Sequence, residues 1–488
     1  MNINTLRKNF FMYSIRTLLN IIFGIIIFPY VAKLLGPILI GKVQYVESIV
    51  GYFILFINLG VLNYGKREVA FFRDDKIKLS KVVIELLCIL FVTTCLALMI
   101  YFYMIYNLEI FKTEQKIFFI FSFYLLFNFL GVEWFYEGIE NQTYITVRNI
   151  VLKFISGLLI IFFVKNNDDI YIYAAIIVFS LIGFNILNFI RLFKYIKIKE
   201  VNIRLKDLVK HLHSLFFFFS STLAVSLSYN LDTIMIAKLN SIEEVGYYSF
   251  ASKIGKVPIV FPTAIVTIFY PRLCNFIQNG KYDEYIKMVK KALNFILLLS
   301  IPSSVGLYLI SDLIVLIFGG VEYSPAIKIM KVFAIYIFVI SLALYTGSLT
   351  LLANKMEKFF LYSLIIGSLL NCIFNIVFIS KLGGFGAAIA TIITEIVAIF
   401  FRYILAKNLF IKIGIFDKNF IRIIVSAIVI IPIVEMVKRT ITSNLIAIIF
   451  SIILGGIGYL IMLLTLKEKI TREYIYEVRS KIKYFITK

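Results

Sequence analysis

Residues 82–106 read VVIELLCILFVTTCLALMIYFYMIY. Wound into an α-helix at about 1.5 Å per residue, that stretch is longer than the roughly 30 Å hydrocarbon core of a bilayer. Working outward in windows of about 19 residues, comparable apolar runs recur near 10–32, 43–63, 117–137, 144–164, 170–190, 214–237, 246–270, 292–318, 326–352, 359–379, 385–405, 420–437 and 444–466. Arg148, Asp312 and Glu435 blur the edges of the fifth, ninth and thirteenth runs in chain order. The composition agrees: of 488 residues, 61% are hydrophobic and 16% charged, with mean hydropathy +0.94. Soluble chains hold about 45–50% apolar and about 25% charged residues. A soluble enzyme is therefore excluded, and the expected fold class is all-α: a polytopic membrane protein with about 14 transmembrane helices.

The first run follows Arg7 and Lys8 in the manner of a signal peptide, but it continues to Pro29 and Tyr30 without a small-x-small cleavage pattern. It reads as a retained first span. Fifty Lys and Arg against 28 Asp and Glu give a net charge of +22, which would suggest nucleic acid in a soluble protein. Here the basic residues gather in alternate loops, 64–81, 191–213 and 271–291, and in the tail after 466, whereas loops 107–116, 165–169, 239–245 and 311–325 hold only Lys112, Lys116 and Lys165. Because Lys and Arg stay on the cytoplasmic side, both termini are expected there, with no nucleic-acid partner. Cys88, Cys95, Cys274 and Cys372 lie in or beside apolar runs without CxxC spacing and read as small core residues.

A repeat is visible within the chain. Ala32-Lys33-Leu34 followed by Gly41 returns as Ala237-Lys238-Leu239 followed by Gly246, and later Asn141 matches Asn354 and Ala174-Ala175-Ile176 matches Ala387-Ala388-Ile389. The expected organisation is an N-terminal six-span half (1–213), a C-terminal six-span half (214–410), and two further spans with a basic cytoplasmic tail (411–488). Repeated halves of this kind enclose a central cavity that opens alternately to each side.

Charges inside a membrane need a partner, water or a ligand. Lys253 and Lys256 stand three residues apart, on one face of span eight, beside Gly255, Pro258 and Pro262, which interrupt helices near binding sites. Asp232 on span seven lies at matching depth and reads either as a structural partner of Lys253 or as part of the same site. Arg16 is two turns into span one and reads either as cavity-lining or as snorkelling to the headgroups. Glu133 and Glu137 on span four face Arg148 and Lys153 on span five, the expectation being two lateral salt bridges, or a gate that breaks during transport. Glu395 near the middle of span twelve has no base close by in its own hairpin; it reads as a proton or cation coupling site or as a neutral carboxyl. The His211-x-His213 pair reads as interfacial rather than metallic, and Trp134 as an interfacial anchor. With no Walker A, GxSxG or HExxH pattern, no catalytic residue, cofactor or metal is expected.

The basic start, Leu35-Gly36-Pro37 with Gly41 after span one, Tyr64-Gly65-Lys66-Arg67-Glu68 after span two, and the six-plus-six-plus-two arrangement together resemble the polysaccharide and O-antigen flippases of the multidrug, oligosaccharidyl-lipid and polysaccharide exporter superfamily. The resemblance covers essentially the whole chain. It implies a flippase, not an enzyme, of the bacterial inner membrane that moves an undecaprenyl-pyrophosphate-linked oligosaccharide by alternating access, with membrane lipids, a polysaccharide polymerase and a chain-length regulator as partners. Lys253, Lys256 and Arg16 would then meet the pyrophosphate through charge-assisted hydrogen bonds. Ser226, Ser228, Tyr229, Asn230, Tyr247 and Tyr248 would face the sugar, and the lipid tail would stay outside along spans thirteen and fourteen. A multidrug cation antiporter and a lipid II flippase of the same superfamily are the alternatives.

Overall fold

The computed structural model describes residues 3–197, 201–202, 204–413 and 418–472; the side chains of Ser228, Tyr229 and Asn230, expected at the sugar, lie outside the described residues. In lipid no water satisfies a free amide, so each crossing segment closes its own backbone hydrogen bonds, and helices carry the described chain. They are α1 (Ile3–Asn58), α2 (Val61–Phe72), α3 (Lys76–Asn107), α4 (Glu109–Lys112), α5 (Gln115–Leu126), α6 (Glu133–Gly138), α7 (Gln142–Phe163), α8 (Ile170–Leu192), α9 (Leu205–Leu239), α10 (Ile242–Gly255), α11 (Val260–Gln278), α12 (Tyr282–Phe318), α13 (Ala326–Leu344), α14 (Glu357–Leu405), α15 (Lys407–Ile413), α16 (Lys418–Ile428), α17 (Ile430–Thr440) and α18 (Asn444–Thr465).

Among the described residues, eleven helical runs are long and apolar enough to cross a membrane. Two of them, Phe11–Phe72 and Glu357–Leu405, contain 62 and 49 residues, more than twice the about 20 that one crossing needs. Each is interrupted by a glycine with non-helical geometry, Gly36 (φ 73°, ψ 172°) and Gly383 (φ 58°, ψ −137°), conformations that residues with a Cβ rarely adopt. The expected spans one and two both fall in the first run, and spans eleven and twelve both fall in the second. The seventh, in α9, includes side chains outside the described residues and is not among the eleven.

The chain packs as two compact units, Met1–Gly246 and Tyr247–Lys488. In the first, α9 packs on α1, α2 and α3, so the packing boundary falls after α9, whereas the expected boundary at 213/214 lies within it. Val61, Val83, Leu86, Phe135, Tyr136 and Ile145 form part of the core where α2, α3, α6 and α7 meet. Trp134 is 1% exposed in that core, which corrects its expected place at the interface. Gly65 is the reason it fits, since a Cβ there would come within 2.6 Å of the indole. Asp75 caps α3 by accepting from the backbone N–H groups of Ile77 and Lys78, both at 3.1 Å; the Lys78 N–H and ammonium hold its carboxyl below the usual range.

The repeat detected in the sequence has a geometric counterpart. A Cβ on Gly41 would lie 2.0 Å from the carbonyl oxygen of Ile242, and a Cβ on Gly246 would lie 2.0 Å from that of Pro37. Pro37 and Ile242 are themselves separated by the same 205 residues as Gly41 and Gly246. The two members of the repeat therefore cross backbone to backbone in reciprocal fashion.

In the second unit, α12 packs against α11, α13, α16, α17 and α18. Asp312, which blurred the edge of its span, is neutralised by the Lys438 ammonium of α17 at 2.7 Å. After α13 the backbone widens into a π-helical segment, Tyr345–Leu352, a local geometry that often accompanies functional sites.

Candidate functional site

Three charged groupings stand out, each within one unit. In the second unit, the helix break expected from Gly255 and Pro258 is present: α10 ends at Gly255, a single 3₁₀ turn covers Val257–Ile259, and α11 begins at Val260. Lys256 occupies the break. Its ammonium lies 4.9 Å from the centroid of the Phe333 ring and 5.7 Å from that of Tyr336, a geometry in which a cation is attracted by the ring quadrupoles. Lys253, one turn earlier, is exposed. Asp232, in the first unit, is 2% exposed.

Glu395 is held on α14 seven residues before Arg402, on the same helix face. Arg402 is 3% exposed; its Nε donates to Ser363 Oγ at 2.8 Å and one terminal nitrogen donates to the Ala343 carbonyl at 2.9 Å. The Arg402 side chain is folded into the packing beside the π-helical segment.

The third grouping, in the first unit, rearranges the expected salt bridges. Glu133 Oε2 accepts from Arg148 at 2.6 Å, and Glu133 Oε1 accepts from Arg16 at 2.9 Å. Glu137 pairs with Lys66, and its Oε1 lies 3.8 Å from Arg16. Arg148 also donates to Asn188 and, at 3.1 Å, to Asn149. Lys153 joins neither glutamate; its ammonium sits 5.6 Å from the Phe23 centroid. The cause is the break before α6: a 3₁₀ turn, Asn128–Leu130, and Gly131 restart the helix at Glu133, turning the two acids toward α1 and α2 as well as α7. Arg16 is ion-paired and, with Tyr13, Thr17, Asn20, Glu133 and Asn149, lines a cavity of about 480 Å³.

A fourth contact set went unforeseen. Glu85 is fully buried within the apolar run 82–106, and His211 Nε2 lies 2.7 Å from its Oε2, while Tyr64 Oη lies 2.6 Å from His211 Nδ1. Lys210 reaches the same carboxylate at 3.1 Å. This ties α2, α3 and α9 together and corrects the interfacial reading of His211, which is 2% exposed. A lone acid in an apolar run was the available signal. Among the described residues no group of three His, Cys, Asp or Glu is placed to hold a metal.

The asymmetry around Glu133 makes a stability prediction. Arg148→Met leaves Glu133 paired with Arg16, whereas Glu133→Leu strands Arg148, which is 4% exposed. Stranding a buried charge costs about 3–5 kcal/mol, with the lower end expected because Glu133 keeps partial access to water. The thermal midpoint of detergent-solubilised Glu133→Leu should fall further than that of Arg148→Met; the reverse order would reject the pairing. Exchanging Glu137 with Arg148 should rescue nothing, since Glu137 faces Lys66 and Arg16.

A many-helix membrane fold with an internal repeat, a broken helix carrying cations and paired charge clusters define a multi-pass membrane transporter. The sequence profile of the polysaccharide biosynthesis protein family matches residues 6–276, and that of the lipid II flippase MurJ matches 146–457. The chain belongs to the polysaccharide biosynthesis protein family, in the flippase superfamily that also contains MurJ. A protein of Escherichia coli K12 described as "Putative O-antigen transporter" is 24% identical, over 81% of this chain and 95% of its own. In structure, the chain is similar to lipid II flippase MurJ in an inward closed conformation (TM-score 0.71, 20% identity, 95% of this chain and 100% of that one). It is also similar to the MATE multidrug transporter DinF-BH (TM-score 0.60, 13% identity, 85% and 97%). These are transporters and flippases, not enzymes, and the chain is a lipid-linked polysaccharide flippase in that broad sense.

Proposed function

We propose that the protein translocates undecaprenyl-pyrophosphate-linked oligosaccharide repeat units, of O-antigen or capsular type, across the bacterial inner membrane by alternating access. The observation that carries this is Lys256 at the break between α10 and α11 with Lys253 on the same face one turn away: two cations at a helix interruption, suited to a diphosphate. Both termini are cytoplasmic in this reading, and fourteen spans form two six-span halves with two appended. Arg16 and Asp232 contribute to the polar path, and Glu395 to coupling. A polysaccharide polymerase and a chain-length regulator act beside it. The similarity to the MurJ profile and fold favours lipid II as a second reading.

The test is reconstitution into proteoliposomes with undecaprenyl-pyrophosphate carrying a fluorescent oligosaccharide, compared with fluorescent lipid II, scored by exposure to an impermeant quencher. Faster transfer of the oligosaccharide lipid supports the proposal. Preferential transfer of lipid II would overturn it in favour of the second reading, and rates equal to protein-free vesicles would overturn both.

A further inference from the structure

The pairing of α1 with α7 has a constant register. Thr146 Oγ1 donates to the Met12 carbonyl at 3.0 Å, a Cβ on Gly157 would approach the Phe23 ring within 2.7 Å, and Tyr30 Oη donates to the Val164 carbonyl at 3.3 Å. All three pairs are 134 residues apart. The helices therefore run parallel from the same side, and their outer contacts are separated by about 27 Å at 1.5 Å per residue, close to the thickness of a bilayer core of about 30 Å.

Two cavities adjoin along this pair. The polar one, about 480 Å³, and an apolar groove of about 280 Å³ share Arg16, Asn20 and Asn149. The groove continues along Ile22, Ile26, Phe154, Leu158 and Ile161, and Lys153 stands within it. By the same register, Lys153 is about 10 Å from the Met12–Thr146 contact and about 16 Å from the Tyr30–Val164 contact. No acid pairs with it among the described residues, and its ammonium is held over Phe23 inside the groove. A cation at that depth with only a ring for company is costly unless an anion visits it. The phosphate of an ordinary phospholipid stays at the interface; an anion reaching Lys153 belongs to a lipid whose headgroup is crossing.

We propose that the crevice between α1 and α7 is a binding site for a polyprenyl phosphate or pyrophosphate, with the chain along the apolar groove and the phosphate passing from the Arg16–Asn149 pocket to Lys153. This rests on the flippase reading for the lipid's identity, and it places the tail on α1 and α7 instead of the last two spans.

The experiment places photoreactive benzoylphenylalanine at Phe154 of the full-length protein in nanodiscs and offers radiolabelled undecaprenyl phosphate, undecaprenol or dioleoylphosphatidylglycerol. Saturable labelling by undecaprenyl phosphate is expected, with undecaprenol and the phospholipid weaker by about tenfold or more. Lys153→Leu should remove that preference while Lys153→Arg keeps it, at unchanged thermal midpoints. Equal labelling by phosphatidylglycerol, or a preference that survives Lys153→Leu, would overturn the inference. The two proposals fail separately. Transfer of oligosaccharide lipid without phosphate-dependent labelling sinks the crevice alone, and labelling without transfer sinks the flippase reading alone.

Discussion

Gly246→Val and Gly41→Val should each reduce surface glycan display to the level of a strain lacking the protein. At both positions the added Cβ would sit 2.0 Å from a backbone carbonyl oxygen, that of Pro37 or of Ile242. A carbonyl in a helix cannot swing aside as a side chain can, so the two segments must separate by more than an ångström. The cost is at or above the ~1–3 kcal/mol of ordinary overpacking. Even alanine should suffice to lower the thermal midpoint. Because both glycines serve one crossing, Gly41→Ala and Gly246→Ala should be strongly non-additive: once the first has parted the segments, the second finds room. A methyl added at Gly306 would meet nothing within 4 Å, and Gly306→Ala in α12 should be neutral or stabilising by up to about 1 kcal/mol. Additive losses in the Gly41/Gly246 double variant would show that the two contacts are independent and that the reciprocal crossing is absent.

That crossing also marks how far the sequence could be read. The apolar runs were legible because a bilayer constrains every residue of a spanning helix, and the break at Gly255-Lys256-Pro258 was legible because glycine and proline act locally. The repeat was legible at Gly41 and Gly246 because a backbone approach tolerates no Cβ. Partner identity was not legible. Arg16 meets Glu133 across 117 residues, and His211 meets Glu85 across 126, so depth along the membrane restricted the candidates without choosing among them. Matching depths suggested Glu133 and Glu137 for Arg148 and Lys153, but rotation about each helix axis decides contact, and the 3₁₀ turn before α6 reset that rotation. Lys66 stands in the motif after span two, yet its pairing with Glu137 depends on α2 packing against α6. Charges on neighbouring spans can be assigned to a level from sequence, while their azimuth comes only from packing.

Lys256→Ala should lower transfer of the lipid-linked oligosaccharide by about ten- to a hundredfold, the loss expected for a charge-assisted hydrogen bond of about 1.5–3 kcal/mol to a charged headgroup. Little stability should go with it. The ammonium lies over Phe333 and Tyr336, contacts worth about 0.5–2 kcal/mol. Lys253→Ala should have a smaller effect alone, being more exposed, and the double variant should abolish transfer. Lys256→Arg tests whether charge or shape is used: a guanidinium keeps the charge, ring stacking and diphosphate recognition, so most activity should remain. Lys256→Glu should be worse than alanine, because it repels the headgroup. The decisive comparison is glycan display and proteoliposome transfer at matched protein levels and matched thermal midpoints. Normal transfer by the Lys253→Ala/Lys256→Ala double variant would remove the basic site from the mechanism, because the proposal draws its diphosphate recognition from these two cations at the break between α10 and α11.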